Sequence, residues 1–197
     1  AANAAVLIKD STGKTVNATT GSDGKFSANI VGMTAPLLVK ATPVGKTPLF
    51  SAITTAADND NINVHPISNS ILQTSYQSQN LNPDTVISAS GAPVALPNKT
   101  QLQSLQNLVQ NDLRPALQSV GVDVANFDLL KTPFLANRSN FDKILDGTVI
   151  GANGLAVKVT LPGVVTVDIT LNLHANNDAT KAEAKWSSTP PATTRTT

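Results

Sequence analysis

The first quarter of the chain is divided into short extended runs by turn residues at regular spacing. Between the first runs stand Asp, Ser and Gly, which favour tight turns because Gly accepts a positive φ without strain. Short strands punctuated by such turns are typical of a β-sandwich. We therefore predict sandwich strands over residues 1–57. The individual runs are Ala5–Lys9 and residues 14–20, 25–30, 36–42 and 47–54.

After a polar stretch the apolar residues recur with a helical period instead. Pro66 suits the first turn of a helix, and apolar residues at helical spacing follow it until Asn82-Pro83. Asn98 can cap the longest helix, predicted over residues 99–120, which carries one apolar stripe. A further short helix is predicted to open at residues 139–142. Together these signals predict a helical subdomain over residues 58–147.

Alternation with a period of two returns after Gly147. Residues 155–161 and 165–173 alternate apolar with polar or small residues, and Pro162-Gly163 suits the turn between them. This predicts a C-terminal β-hairpin over residues 148–175 that completes or extends a sheet. Residues 176–197 are Thr- and Pro-rich, and we interpret them as a tail or donor segment. The predicted fold class is α+β, mainly β: a β-sandwich with a small helical subdomain inserted before a C-terminal β-hairpin.

The composition excludes several classes of function. Charged residues make up 14% of the chain, well below the roughly 25% usual for soluble domains. The net charge is +1 and the cations are scattered, which argues against nucleic acid as a partner. No apolar run is long enough to span a membrane. The absence of cysteine excludes disulfides and thiolate metal sites. A charge-poor surface rich in Thr and Asn favours an extracellular or cell-surface location.

No pattern of catalytic or cofactor-binding residues is present. His65 and His174 are the only histidines, and their spacing matches no metal motif, so structural roles are expected. There is no Gly-x-Ser-x-Gly elbow and no nucleotide loop. Asp58, Asp60 and Asn61 resemble half of a calcium loop, but the Gly and terminal Glu are missing. We keep them as a weak metal candidate against a solvated linker, and expect neither an enzyme nor a cofactor.

Two stretches of the chain resemble a known family. The sequences AVLIKDSTGK at residues 5–14 and TTGSDGKF at residues 19–26 are similar to bacterial carboxypeptidase-regulatory-like domains, which are transthyretin-like or immunoglobulin-like sandwiches. The continuation, PLLVKAT at residues 36–42 and NVHPIS at residues 63–68, looks like exported bacterial proteins in which the sandwich runs into a helical segment. The resemblance covers about residues 4–75 and implies the fold, but not a function.

One departure from the family carries the functional hypothesis. Such domains usually begin with a Gly-x-Val strand before the segment equivalent to Ala5–Lys9, and here that strand is missing. We therefore expect an open sheet edge along Ala5–Lys9, filled by a strand from the same chain or a neighbour. The donor is expected to be residues 164–174 or a terminal segment. The predicted subunit interface consists of Ala5, Val6, Leu7 and Ile8 on one side and Val165, Val167, Ile169, Leu171 and Leu173 on the other.

The resulting hypothesis is an extracellular bacterial structural subunit that forms a homopolymer, or filament, by strand complementation of an incomplete immunoglobulin-like sandwich. Its partner is then another copy of the same chain. The alternative is a monomeric surface or periplasmic module that binds a glycan or peptide in the crevice between sandwich and helices. Aromatic residues are only 4% of the chain, which weakens the glycan version because sugar sites usually contain stacking rings.

Overall fold

The computed structural model describes residues 1–55, 61–152, 154–173 and 182–183. The fold is α+β and mainly β. Its elements follow one another as β1 (Ala5–Lys9), β2 (Thr15–Thr19), β3 (Leu37–Thr42), β4 (Leu49–Ile53), α1 (Pro66–Gln77), α2 (Pro83–Ser88), α3 (Lys99–Ser119), α4 (Asn140–Asp146), β5 (Thr148–Ile150), β6 (Ala156–Leu161), β7 (Val165–Thr170), β8 (Asn172–Leu173) and β9 (Ala182–Glu183).

The first four strands form one antiparallel sheet in the order β2-β1-β3-β4. Leu7 of β1 lies opposite Asn17 of β2 on one side and opposite Lys40 of β3 on the other. Because β1 is paired on both sides, the predicted open edge along Ala5–Lys9 is wrong. The physical reason is visible in the strand itself, since its apolar run covers both faces, as in strands buried on both sides.

The two faces of this sheet belong to different cores. Leu38, Phe50 and Ala52 face the helices and join the main core, which includes α1, α3 and the second sheet. The opposite face forms a separate cluster, called here the rear core. It consists of Val6, Ile8, Leu37, Val39 and Ile53.

Two lysines of the first sheet form hydrogen bonds to α2 and the residue after it. The buried Lys9 extends its ammonium to the end of α2, where Nζ donates to the Ala89 carbonyl oxygen at 2.6 Å. A cation in this position is favourable because the free carbonyls at a helix C-terminus carry partial negative charge. Lys40 donates to the Asp84 carboxylate at 2.5 Å, and this hydrogen bond holds the pKa of Asp84 below its usual value. The first sheet and the helical segment are therefore directly connected.

The helices differ from the predictions mainly at their ends. α1 ends at Gln77, and Asn82-Pro83 opens a second helix, α2, in which the Asn82 side chain accepts from the Asp84 N–H at 2.8 Å. The longest helix, α3, is confirmed, and its predicted cap Asn98 accepts from Gln101 N–H at 3.1 Å. Within the described ranges, no helix combines the length and apolar character needed to cross a bilayer.

The predicted C-terminal hairpin is confirmed as β6 and β7, with Lys158 opposite Asp168. A third strand, β5, pairs with β6 at the start of this region, where the sequence predicted a hairpin of only two strands. This three-stranded sheet shares no pairing with the first sheet in the part of the chain that is described. It packs into the main core through alternate residues, so the hairpin covers the helices. The buried residues are Val157, Val159, Leu161, Val167, Ile169 and Leu171.

Candidate functional site

A cavity of about 620 Å³ lies behind the first sheet, on the face of the rear core. Ile8, Ala41 and Leu49 of the sheet contribute apolar side chains to it. Two extended segments, residues 25–30 and residues 61–64, also line this space, which we call the rear cavity. Its size falls in the range of ligand-binding pockets.

The segment at residues 25–30 alternates like a strand but pairs with no strand among the described residues. Phe26, Ala28 and Ile30 are half-buried against the rear core, while Lys25, Ser27 and Asn29 are exposed. Within residues 1–55, 61–152, 154–173 and 182–183, no backbone hydrogen bond joins residues 26–29 to another segment. The sequence predicted a strand here. Its periodicity is present, but none of the described strands pairs with it.

The segment at residues 61–64 is fixed on the side of the loop at residues 129–132. The Asn63 N–H donates to the Leu130 carbonyl at 2.7 Å, and its side-chain amide donates to the carbonyls of Leu129 and Thr132. The side-chain nitrogen of Asn61 donates to the Lys131 carbonyl at 3.0 Å. These bonds leave Ile62 and Val64 packed against the rear core.

His65 ends this second segment and begins α1. It is fully buried, its Nδ1 accepts from the Ser68 N–H at 3.1 Å, and its Nε2 lies 3.1 Å from the Leu129 carbonyl oxygen. A carbonyl cannot donate, so the proton is on Nε2 and the ring is neutral. Burial lowers the pKa of His65 to about 4, and the Leu129 carbonyl opposes this only in part. His65 is therefore a helix cap, as its predicted structural role requires.

Three aromatic rings surround the helix entry and stiffen this end of the cavity. The His65 ring lies edge-on to Phe141, with ring centroids 5.3 Å apart, and Phe141 lies edge-on to Phe134 at 5.2 Å. Such edge-to-face pairs add stability beyond the area that they bury. Phe134 also lines the rear cavity, so the cluster connects the cavity wall to α4.

The predicted interface residues separate into two groups that the fold does not bring together. Val6 and Ile8 belong to the rear core, whereas Leu7 faces the main core and Ala5 is exposed. On the other side, β7 and the residue after it are packed among the helices. Val167, Ile169 and Leu171 are buried there, Val165 packs against them, and Leu173 lies in β8.

The structure gives no support to the weak metal candidate at Asp58, Asp60 and Asn61. Asp58 and Asp60 lie outside the described residues, as does His174, and the amide nitrogen of Asn61 is used for a bond to Lys131. Among the residues that the structure describes, no group of three or more His, Asp or Glu side chains could hold a metal ion.

Sequence reasoning missed the second wall of the rear cavity. Ile62 and Val64 flank Asn63 with strand-like alternation, but this piece was assigned to the polar start of the helical subdomain. The alternation of residues 62–64 was the available signal. Comparison with protein-family models, curated proteins and solved structures found no match to this chain.

Proposed function

We propose that the protein is a non-enzymatic structural subunit of the bacterial cell surface, which polymerises by receiving an extended strand of a neighbouring copy in the rear cavity. The supporting observation is the extended segment at residues 25–30, which pairs with no described strand and turns its apolar side chains toward the rear core. On this proposal, residues 25–30 and 61–64 belong to the second layer of an immunoglobulin-like or transthyretin-like sandwich that lacks a strand between them.

The driving force is the cost of leaving this layer incomplete. Leaving backbone N–H and C=O groups beside an apolar surface without hydrogen-bond partners costs free energy. An added strand supplies those partners, and its alternate side chains can enter the cavity. Because the receiving and donating surfaces are different, each subunit can receive one strand and donate another, which propagates into a filament.

The donor proposed here is residues 181–186 rather than residues 164–173. Val167, Ile169 and Leu171 are each no more than 1% exposed in the main core, so withdrawing β7 would leave a large void. Residues 181–186 offer a better pattern, since small or aromatic residues alternate there with Glu183 and Lys185. Of the described strand pairings, donating them breaks only the two-residue pairing of β9 with β8. We therefore propose this C-terminal segment of a second copy as the occupant of the rear cavity.

Filling the cavity from within the chain tests the proposal. Ala28→Leu adds a larger side chain at the cavity wall and should abolish assembly, because it occupies the space that the donor needs. Ala125→Leu is the matched control, since Ala125 is exposed and does not line the cavity. Negative-stain electron microscopy and light scattering after size-exclusion chromatography should show polymers for the wild type and for Ala125→Leu, and no polymers for Ala28→Leu.

Two results would contradict this proposal. A wild-type protein that stays monomeric at every concentration would exclude polymerisation, and polymers of Ala28→Leu would exclude the rear cavity as the receiving site. Trp186 is the only tryptophan, so its emission should shift to shorter wavelength on assembly if the segment at residues 181–186 is the donor. Assembly without that shift would assign the donor to another segment.

A monomeric peptide-binding module is the second candidate function. It is favoured by the same observation, because an unpaired strand beside an apolar cavity can accept an extended peptide from another protein. A monomeric wild type that binds extended peptides, and loses that binding in Ala28→Leu, would support this function over the polymer.

A further inference from the structure

Within the described part of the chain, the first sheet has one covered edge and one open edge. At β4, the N–H of Phe50 donates to the Asn69 side chain at 3.2 Å, and the Phe50 carbonyl accepts from the Ser68 hydroxyl at 3.1 Å. Both side chains belong to α1, which therefore closes this edge. At the other edge, Thr15, Asn17 and Thr19 of β2 are exposed.

The hydrogen bonds that flank the β1–β2 pair show which groups of β2 point outward. Asp10 N–H donates to the Lys14 carbonyl, and Thr20 N–H donates to the Ala4 carbonyl. In an antiparallel pair, bonded and non-bonded positions alternate along each strand. Residues 14, 16, 18 and 20 therefore turn their backbone groups toward β1, while Thr15, Asn17 and Thr19 turn theirs away. Across the described ranges, these outward groups have no backbone hydrogen-bond partner.

The side chains of β2 are nearly symmetric about Asn17. The strand reads Thr-Val-Asn-Ala-Thr, so the residue types on either side of the central Asn correspond. If a second copy of β2 lies antiparallel to the first with Asn17 at the centre, Thr15 faces Thr19 and Val16 faces Ala18. Each hydroxyl, apolar or amide side chain then lies opposite a side chain of the same type, and such cross-strand pairs stabilise a sheet.

We propose that two copies of the protein pair along β2 about a two-fold axis through Asn17, which joins their first sheets into one continuous eight-stranded sheet. Every outward N–H and C=O of Thr15, Asn17 and Thr19 finds a partner in this arrangement. It is a second self-interface, distinct from the rear cavity, and it closes on itself rather than propagating.

The charges of the strand are compatible with this pairing. β2 itself contains no charged residue, and the neighbouring Lys14 falls opposite Thr20 of the second copy rather than opposite a cation. Edge strands that avoid pairing usually carry such a charge or a proline, and β2 carries neither. The contact is small, below the roughly 1,200 Å² of total buried area typical of stable complexes, so the dimer is weak by itself.

Cysteine cross-linking tests the axis directly, because the chain has no native cysteine. Asn17→Cys should form a disulfide with itself under mild oxidation, since paired residues at a bonded position lie about 5.5 Å apart, within disulfide range. Thr15→Cys and Thr19→Cys should cross-link poorly alone but readily when mixed. Ser22→Cys is the control, because Ser22 lies in an exposed turn and its cross-linking rate reports random collision between molecules.

Dimerisation is measured in the wild type and in the Ala28→Leu background. Because Ala28→Leu blocks only the rear cavity, loss of polymerisation can be distinguished from loss of β2 pairing. Sedimentation velocity should show that Asn17→Lys weakens dimerisation by about tenfold or more relative to Asn17→Thr, because two ammonium groups then meet at the axis. Asn17→Cys cross-linking no faster than Ser22→Cys, or equal dimerisation of the lysine and threonine variants, would overturn the proposal.

Discussion

Gly13→Ala is expected to lower the free energy of unfolding by about 3 kcal/mol, through backbone strain and a backbone clash together. Gly13 has a φ of +93°, which is unfavourable for a residue with a Cβ. A Cβ at this position would also fall within 3.0 Å of the Gly91 carbonyl carbon and the Ala92 nitrogen. Both contacts are backbone atoms, so no side chain can rotate away to relieve them.

Gly45→Ala is the matched control for this substitution. Gly45 also has a positive φ, +69°, but a Cβ there would meet nothing within 4 Å. It should therefore show only the conformational cost, about 1 kcal/mol. Urea denaturation followed by circular dichroism measures both losses. Equal losses for the two variants would mean that the loop at residues 91–92 moves freely away from the β1–β2 turn.

Acid is expected to weaken the fold through His65, and His65→Asn should remove that part of the pH dependence. The folded pKa of His65 is about 4, against 6.5 for an unperturbed histidine. Below about pH 6.5, His65 binds a proton in the unfolded chain but stays neutral in the folded protein. The stability contributed by neutral His65 is therefore complete above about pH 6.5 and is lost as the pH falls toward about 4. This difference in pKa corresponds to about 3 kcal/mol in total.

Asparagine suits this comparison because its side-chain oxygen can still accept from the Ser68 N–H at the helix cap. At neutral pH, His65→Asn should lose about 1–3 kcal/mol, since the bond to the Leu129 carbonyl and the ring contacts disappear. Its stability should then fall less than that of the wild type between about pH 7 and about pH 5.

Urea denaturation at matched ionic strength measures this difference, and comparison with the wild type cancels the contribution of carboxylates such as Asp84. Proton NMR of the His65 ring gives an independent check, since its resonances should not titrate near pH 6.5. An unchanged pH slope in His65→Asn, or a ring titrating near its ordinary pKa, would show that His65 is not the proton acceptor that destabilises the fold.

Local patterns predicted the elements whose partners are close in sequence. The turn residues between β1 and β2 and the Pro162-Gly163 turn fixed two hairpins, and the Asn98 cap with its apolar stripe located α3. β5 was missed because a three-residue strand among glycines has too little alternation to register. α2 was missed because Asn-Pro can end one helix or begin the next, and both readings are local.

Local sequence patterns predicted only part of the candidate site. The sequence predicted an extended run over residues 25–30, and the structure shows which side of it is apolar, with Phe26, Ala28 and Ile30 turned toward the rear core. No periodicity shows whether a segment has a partner, so the sequence could not distinguish a paired strand from an unpaired one. The open edge was assigned to Ala5–Lys9 from the family resemblance, whereas the structure pairs β1 on both sides and places β2 at the edge of the first sheet.

The sequence by itself determined most of the local structure of this protein. Outside α2, β5 and residues 61–64, it indicated which segments are extended, which are helical, and which side of each helix is apolar. These properties depend on neighbouring residues, through turn chemistry, capping and periodicity. Only the tertiary structure decided the order of the strands, the closure of β4 by α1, and the cavity between residues 25–30 and 61–64. Those features depend on contacts between residues distant in the chain, where several pairings satisfy the same local pattern and packing selects one.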